Sequence, residues 1–434
     1  MSEGWGALIK YITDSFGRRS VTKAMESTKE LVMIKKEAGA INAIKQNRVK
    51  FYTLKSPIAT IVLFFCIHSV TAQTDTDNSK TLIDSTTIER KIDSYLQSEM
   101  QMDNLPGISL AVIHSGKVIL TRNIGFADKE AKKPITSETA FEIGSLTKQF
   151  TAAATMLLVE EEKLSLNDRI LSYVDSTSGN WSAITVRQLL THTSGIKDYT
   201  GVKELKKKMK QEFLDPKEVI QVMQALPLNF QPGEKHGYSN TNYFLLGLII
   251  TRVSGQPYQK FMEDRIFRPT GMISTRLTNG KAAPDLAQGY KYTGEKADYM
   301  KVTSDGGIIS TSADLITWMN AFFGGKVIKK ESLAEVLTPL TLNSGDHVDY
   351  GLGWIVTTDK FSGKELIQHG GFTYGFSNYI TRLPTEDLTI IILTNSDRGY
   401  TRFYTKGIAA IYAPWLRDYW ANDELDFREK KRKK

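Results

Sequence analysis

Apolar residues recur along the chain with two spacings, and each spacing predicts a different kind of element. Between residues 88 and 96 the apolar positions lie four residues apart, which is typical of one face of a helix. Residues 107–113 and 118–120 are apolar runs joined by His114-Ser115-Gly116-Lys117, so they predict the two strands of a β-hairpin. The folded part of the chain is therefore expected to begin with a helix and a hairpin.

The remainder of the chain is helical in its middle and strand-like at its end. The pattern is mostly helical over residues 146–275, and strand-like runs return at 353–356, 378–381 and 388–393. Strands at both ends with helices between them predict an α/β or α+β fold, in which a helical subdomain is inserted into a sheet domain.

Residues 58–70 form an apolar run of 13 residues near the N-terminus. A membrane-spanning helix needs about 20 apolar residues, so this run is short for one. Lys50 and Lys55 precede the run, and small residues end it at Ala72, before Gln73. A positive flank, a short apolar core and small residues at the end are the layout of a secretory signal peptide.

The segment ahead of this run is far longer than the first region of an ordinary signal peptide, and two explanations compete. In the first, translation starts near Val49. In the second, residues 1–49 are a genuine extension, and residues 57–72 are not cleaved but remain as a membrane anchor. Either way we expect export to the periplasm or the cell envelope, and cleavage would leave Gln73 first. The expected parts of the chain are an extension of doubtful status (1–49), a signal peptide or anchor (50–72), a flexible leader (73–86), one folded domain (87–420) and a charged tail (421–434).

Composition narrows the classes of function. The chain has 434 residues and a formal net charge of +8, of which residues 1–72 contribute +6 and residues 428–434 contribute +5, so −3 remains for residues 73–427. The body is therefore not basic, and no nucleic-acid partner is expected. Cys66 is the only cysteine, and no H-E-x-x-H motif is present, so neither a disulfide nor a zinc site is expected.

Ser145 and Lys148 form the first candidate for chemistry. An apolar helical pattern starts at about Ser145, and Lys148 lies one turn further on, on the same face. Burial lowers the pKa of a lysine, and a neutral lysine can accept the proton of a serine hydroxyl. The alternative is that Ser145 caps the helix. The spacing S-x-x-K is too common by chance to decide between the two.

Three further segments carry candidate residues. Tyr238 and Asn240 form a Tyr-x-Asn motif just before an apolar helix over residues 243–250. His369-Gly370-Gly371 lies at the opening of a strand-like segment, where glycines allow a ligand to approach the backbone closely. His192 follows an apolar pair in a helix-to-loop turn and is interpreted as a hydrogen-bonded core histidine rather than a functional group.

In this order the motifs resemble those of the serine β-lactamase and penicillin-binding-protein superfamily, in its class C-like branch. That branch includes class C β-lactamases, D,D-carboxypeptidases, D-aminopeptidases and family VIII esterases. The resemblance runs from about residue 105 to 394. It implies a β-lactamase/transpeptidase-like fold, with an antiparallel sheet flanked by helices and an inserted, mainly helical subdomain. It also implies catalysis without a metal or a cofactor.

The resemblance implies a role for each catalytic position. Ser145 is the expected nucleophile that becomes acylated, and Lys148 is its expected proton acceptor or relay. Tyr238 is expected to pass a proton to the leaving group. Asn240 is expected to bind a substrate amide or carbonyl and to hold Lys148.

The third motif implies substrate-binding roles. His369 and Gly371 stand in the place of the Lys-Thr-Gly box of the superfamily. The backbone N–H groups of Ser145 and Phe372 are expected to form the oxyanion hole, with a contribution of a few kcal/mol per donor. β-Lactamases of high activity usually have lysine where His369 stands, and His369 is only partly charged near neutral pH. Phe372 is bulky enough to narrow the cleft, so neither residue favours a dedicated β-lactamase.

The expected enzyme is an exported serine hydrolase of amide or ester bonds. Its substrates would be small molecules or peptides: a D-amino-acid peptide, including one derived from peptidoglycan, a small ester, or weakly a β-lactam. The alternative is a non-catalytic, penicillin-binding-like module that binds cell-wall peptide or a protein partner. A third hypothesis is a membrane-anchored protein whose function lies in its N-terminal segment rather than in the folded domain. Only the short apolar run supports this hypothesis.

Overall fold

The computed structural model of the protein describes residues 85–175, 179–359 and 362–416. The predicted extension, the signal or anchor segment and the tail (421–434) lie outside these residues, as does most of the leader. The limits 87–420 for the folded domain therefore stay a prediction. The first helix already begins at Ser85, inside the segment expected to be a flexible leader.

Twelve strands lie in the described residues, and seven of them form one antiparallel sheet. The sheet has the order β3-β2-β1-β12-β11-β10-β9. A second, three-stranded sheet has the order β4-β6-β5, and β7 pairs with β8. The strands are β1 (Gly107–His114), β2 (Lys117–Asp128), β3 (Lys133–Pro134), β4 (Phe141–Glu142), β5 (Arg276–Leu277), β6 (Ile308–Ser310), β7 (Leu340–Thr341), β8 (His347–Val348), β9 (Ile355–Thr358), β10 (Glu365–Thr373), β11 (Phe376–Leu383) and β12 (Leu388–Thr394).

Eleven α-helices lie in the same described ranges, and most of them stand between β4 and β9. A 3₁₀ turn over Gly144–Leu146 precedes the second helix, and a π-helical turn over Glu263–Phe267 precedes the eighth. The helices are α1 (Ser85–Asp103), α2 (Thr147–Glu160), α3 (Val186–Leu190), α4 (Lys203–Met209), α5 (Pro216–Gln224), α6 (Asn240–Ser254), α7 (Tyr258–Met262), α8 (Arg268–Thr270), α9 (Ser312–Phe323), α10 (Lys330–Leu337) and α11 (Thr401–Tyr412).

The main sheet is buried on both faces, and this explains the continuous apolar run of β12. All seven residues of β12 are buried. Successive side chains of a strand point to opposite faces. Ile390 and Ile392 accordingly pack in the cluster that contains residues of α1 and α11, whereas Ile391 and Leu393 pack in the larger cluster on the other side. The sheet is thus a middle layer between two sets of helices.

The larger cluster is the core of the inserted helical part. It contains a row of stacked aromatic rings. Phe150 of α2 lies with its ring centroid 4.0 Å from that of Trp318, which is itself 4.9 Å from Phe322. Phe322 in turn stacks on Trp354, just before β9. The predicted class, an antiparallel sheet flanked by helices with a mainly helical insertion, is confirmed.

Three boundaries differ from the sequence-based expectations. The second hairpin strand is not 118–120 but the whole of β2, twelve residues long. The run at 353–356 becomes a strand only at Ile355. His369-Gly370-Gly371 lies in the second half of β10 and not at the opening of a strand. Within the described ranges, no helix combines the length and the hydrophobicity that a membrane crossing requires.

Candidate active site

Ser145 lies in a tight turn between a strand and a buried helix. β4 ends at Glu142, the 3₁₀ turn Gly144–Leu146 follows, and α2 starts at Thr147. Gly144 has φ of 54°, in the left-handed region that favours glycine. The N-cap position of α2 is Leu146 and makes no side-chain capping bond, so Ser145 is not a helix cap. The turn leaves the Ser145 hydroxyl available to its neighbours.

Lys148 is completely buried beneath that hydroxyl. Its Nζ donates to Ser145 Oγ at 3.0 Å, to Asn240 Oδ1 at 2.8 Å and to the main-chain carbonyl of Asp305 at 2.6 Å. A lysine side chain in its ammonium form has three N–H donors, and each one has an acceptor here. Three chain segments therefore hold Lys148 against the candidate nucleophile.

Asn240 is held in turn by a residue that the sequence did not single out. Its Nδ2 donates to Asp198 Oδ2 at 2.9 Å. The other carboxylate oxygen of Asp198 accepts from the main-chain N–H and the hydroxyl of Thr200, at 2.9 and 2.8 Å. A continuous chain of hydrogen bonds thus runs from Thr200 to Ser145. The sequence offered one indication of a role for Asp198, its position just after the turn that contains His192.

Asp305 was also missed, although it directly precedes a glycine pair in the framework of the resemblance. Its carboxylate is buried, and its Oδ2 accepts a hydrogen bond from the hydroxyl of Tyr199 at 2.7 Å. Burial raises the pKa of Asp305, and the charge of nearby Lys148 opposes that rise. Burial also raises the pKa of Tyr199 well above its ordinary value. The Tyr199 hydroxyl therefore stays protonated and anchors the loop whose carbonyl contacts Lys148.

The end of β10 lies directly against the Ser145 turn. A Cβ atom on Gly371 would collide with the carbonyl oxygen of Ile143, and a Cβ on Gly144 would lie 2.7 Å from Phe372 N and 2.8 Å from Phe372 O. The main-chain N and O atoms of Phe372 therefore lie next to this turn. An oxyanion hole between the N–H groups of Ser145 and Phe372 requires such proximity. The missing side chain at Gly371 therefore makes room for the Ser145 turn, and not for a ligand as the sequence predicted.

Asn378 on β11 joins the same two segments. It is fully buried, and its Nδ2 donates to the carbonyl of Glu142 at 2.9 Å and to that of Gly371 at 3.4 Å. The sequence gave no signal for this residue, because a lone asparagine within a strand has no motif around it. Its contacts fix the spacing between the end of β4 and the end of β10.

His369 is buried, and both of its ring nitrogens have partners. Nδ1 lies 2.7 Å from the carbonyl of Gly370, and Nε2 lies 3.0 Å from the hydroxyl of Tyr350. Because a carbonyl can only accept, Nδ1 carries the proton and Nε2 accepts from Tyr350. Burial, together with the charge of Lys148, lowers the pKa of His369 to about 4. The partial positive charge expected from the sequence is therefore absent at neutral pH.

Tyr238 stands at the mouth of the site, 42% exposed. Its ring centroid lies 4.9 Å from Lys148 Nζ and 4.2 Å from the centroid of His192. His192 is completely buried, and its Nδ1 accepts from the N–H of Ser239 at 3.2 Å. Burial lowers the pKa of His192 well below its ordinary value. The geometry agrees with a hydrogen-bonded core histidine, which in addition supports the ring of Tyr238.

The structure thus brings all seven predicted site residues into one place. Within the described part of the chain, no group of His, Cys, Asp or Glu side chains could hold a metal ion. The residues so assembled are Ser145, Lys148, Tyr238, Asn240, His369, Gly371 and Phe372.

Comparison with known proteins places the same part of the chain in a known group. Residues 92–412 match the family described as Beta-lactamase. Penicillin-binding protein 4* of Bacillus subtilis (strain 168) is 30% identical over 306 residues, which cover 65% of this chain and 66% of the relative. The chain therefore spans slightly less than two thirds of the length of that relative.

Two solved structures share the fold over three quarters of the chain. The octameric penicillin-binding protein homologue from Pyrococcus abyssi has 30% identity and a TM-score of 0.67, and the match covers 75% of this chain and 77% of that one. D-amino acid amidase from Ochrobactrum anthropi SV3, complexed with D-phenylalanine, has 25% identity and a TM-score of 0.63, with coverages of 75% and 96%.

Asp198→Ala tests the chain of hydrogen bonds to Ser145. Without the acceptor for its Nδ2, the Asn240 amide can rotate and Lys148 loses a fixed partner, so we expect acylation of Ser145 to slow by about 10- to 100-fold. Asp198→Asn keeps an acceptor oxygen and should retain most of the rate. The measurement is the rate of labelling by a fluorophosphonate, with the thermal midpoint as the check on folding. Equal rates in the two variants would show that Asp198 does not position Asn240.

Glu142, at the end of β4, generates a prediction about pH. Its carboxyl is buried, its Oε1 accepts from the N–H of Met300 at 2.8 Å, and burial raises its pKa from 4.5 to about 7. The folded state therefore binds this proton more tightly than the unfolded state does. The free energy of unfolding should fall as the pH rises from about 4.5 to about 7, by at most about 3 kcal/mol.

Glu142→Gln should remove this loss of stability. We expect urea unfolding to show that the free energy of unfolding of the variant, relative to that of the wild type, is higher at pH 8 than at pH 5, because glutamine has no proton to lose. Glu138→Gln, which alters an exposed carboxyl in the preceding turn, is the matched control and should leave the pH dependence unchanged. Parallel curves for wild type and Glu142→Gln would contradict the assignment.

Proposed function

Because the chain belongs to the β-lactamase family, we propose that it is a serine hydrolase that cleaves amide or ester bonds through an acyl-serine intermediate on Ser145. Membership confirms the resemblance to the serine β-lactamase and penicillin-binding-protein superfamily, class C-like branch included. The observation that carries the proposal is the 3.0 Å contact between Lys148 Nζ and Ser145 Oγ, in a turn that lies next to the main chain of Phe372.

The geometry supports a two-step reaction. In acylation, Ser145 Oγ attacks the carbonyl carbon of the substrate, and its proton passes to Lys148, which gives up one of its own protons to Tyr238. Tyr238 in turn delivers its hydroxyl proton to the leaving nitrogen or oxygen. The N–H groups of Ser145 and Phe372 donate to the oxyanion. In deacylation, water attacks the acyl-serine, its proton returns along the same route to Ser145 Oγ, and the carboxylic acid leaves.

The proposed substrates are small molecules or peptides. D-amino-acid peptides, including peptidoglycan-derived ones, and small esters are the main candidates, and β-lactams are weak ones. The similarity to a D-amino acid amidase supports the amide class, and the similarity to penicillin-binding proteins supports cell-wall peptide. Neutral His369 supports the view that β-lactams, which carry a carboxylate, are poor substrates.

Labelling of Ser145 tests the proposal directly. A fluorophosphonate reacts with activated serines, so we expect it to label the wild type and not Ser145→Ala. Ser182→Ala, which alters an exposed serine, is the matched control and should label like the wild type. Absence of labelling in a folded wild type, or labelling that survives in Ser145→Ala, would favour the non-catalytic binding module instead.

The place of action is proposed from residues 50–72 alone, which lie outside the described part of the chain. We propose export to the periplasm or cell envelope, with attachment to the membrane through residues 57–72 if the segment is not cleaved. Sequencing the N-terminus of the protein from its native cell tests this. Gln73 as the first residue supports cleavage, and a retained residue ahead of Val49 excludes a start at that position.

A further inference from the structure

Asp305 places a buried carboxylate beside the lysine of the site. Its main-chain carbonyl accepts from Lys148 Nζ at 2.6 Å. Burial raises the pKa of its side chain, and the charge of Lys148 opposes that rise. The acyl transfer described above uses the carbonyl of Asp305 and leaves its carboxylate without a role.

Hydrogen bonds satisfy this carboxylate only in part. The hydroxyl of Tyr199 donates to Oδ2 at 2.7 Å. Oδ1 is buried, and among the residues that the structure describes no neighbouring side chain or main-chain group donates to it. A buried carboxylate is unfavourable unless donors or an opposite charge replace its lost hydration. Asp305 therefore requires a positive charge close by.

Lys148 requires a negative charge for the same reason. It is completely buried, and its three donors go to the Ser145 hydroxyl, the Asn240 amide oxygen and the Asp305 carbonyl. All three acceptors are uncharged, so none of them balances an ammonium group. Because the donors are used, the carboxylate of Asp305 acts on Lys148 through its charge and not through a hydrogen bond. Such an interaction is strong where water is excluded.

The histidines and tyrosines around the pair do not supply a negative charge. Burial lowers the pKa of His192 and of His369, and the charge of Lys148 lowers both further, so their rings are neutral. Tyrosine hydroxyls are protonated near neutral pH. The tyrosines that face the pair are Tyr199, Tyr238, Tyr243 and Tyr258.

Asp198 is a second carboxylate near Lys148, and it is held in a different way. One of its oxygens accepts from the Asn240 amide, and the other accepts from the N–H and the hydroxyl of Thr200. Asn240 stands between this carboxylate and the lysine. Asp198 thus has donors of its own and is half-buried, whereas Asp305 depends on the charge of Lys148.

We propose that the Asp305 carboxylate is the buried counter-ion of Lys148 and sets the pH at which Ser145 is activated. Asp305 is a positioning residue in this role, because it acts by holding a proton on Lys148 and Tyr238 and does not touch the substrate. The inference rests on the proposed hydrolase function. Removal of the carboxylate charge should let Lys148 and Tyr238 release a proton at lower pH.

The pH dependence of Ser145 labelling tests the proposal. A fluorophosphonate loses fluoride, which leaves without a proton, so labelling requires only that Lys148 and Tyr238 accept the Ser145 proton. The labelling rate of the wild type should therefore rise with pH to a plateau. For Asp305→Asn we expect the half-maximal rate at a pH lower by about one unit or more, the effect of removing a nearby opposite charge.

The substitution separates the charge of Asp305 from its structural contact. Asparagine keeps an acceptor for the Tyr199 hydroxyl, so the anchor of the loop is retained. Asp175→Asn, which alters an exposed carboxylate paired with Arg252, is the matched control and should leave the half-maximal pH unchanged. A lower rate at every pH, with the half-maximal pH unmoved in Asp305→Asn, would show a structural role only and would overturn the proposal.

A stability comparison tests the pairing without catalysis, and it also decides the case in which Asp305→Asn alone does not fold. Lys148→Met leaves the carboxylate without compensation, so its thermal midpoint at pH 8 should lie well below that of the wild type. Lys148→Met/Asp305→Asn removes the uncompensated charge and should melt at a higher temperature than Lys148→Met. Lys148→Met/Asp175→Asn is the matched control and should show no recovery.

The two experiments distinguish failure of this inference from failure of the proposed function. A folded wild type that does not react with the fluorophosphonate would overturn the hydrolase, and the stability comparison would still test the ion pair. Labelling of the wild type, together with a Lys148→Met/Asp305→Asn variant that melts no higher than Lys148→Met, would overturn only the assignment of Asp305 as the counter-ion.

Discussion

A single buried nitrogen constrains the whole site. Lys148 Nζ is removed from water, and a buried polar group is unfavourable unless hydrogen bonds replace the lost hydration. Its three acceptors come from the Ser145 turn, the start of α6 and the loop at Asp305. These segments are distant in sequence, so the helical insertion and the loop before β6 must each take one position for the lysine to be satisfied.

A second constraint joins the helical part to the sheet. The turn before α2 and the last residues of β10 approach so closely that neither Gly144 nor Gly371 could carry a side chain without a shift of the main chain. Asn378 holds the same two segments from the sheet side. The groups that would stabilise an oxyanion therefore depend on packing between two layers and not on either layer alone.

The parts of the fold that could be predicted from the sequence are those in which local pattern and burial coincide. β12 is apolar at nearly every position because both of its faces are covered, and it was recognised as a strand. Most of β2 was missed, because its residues are largely exposed or half-buried and polar ones interrupt its apolar positions. Ser145 and Lys148 were found through a spacing of one helical turn, which sequence displays directly.

The site residues that could not be predicted from the sequence make contacts between segments that are far apart in the chain. Asp198 is 42 residues from Asn240, and the contact from Lys148 to Asp305 spans 157 residues and involves a main-chain carbonyl, which has no sequence signature. The protonation state of His369 was misjudged for a similar reason. It follows from burial and from Tyr350, whose proximity only the folded chain reveals.

The pairing of β1 with β12 has a consequence for biosynthesis. The register joins Ile108 to Thr394, so strands from opposite ends of the domain lie side by side at the centre of the sheet. A chain emerging from the ribosome contains the Ser145 turn long before β10 and β12 exist. The nucleophile then has no partner for an oxyanion hole, and the high contact order makes closure of the sheet a late and slow event. The site is therefore incomplete until the last strand of the sheet has been synthesised.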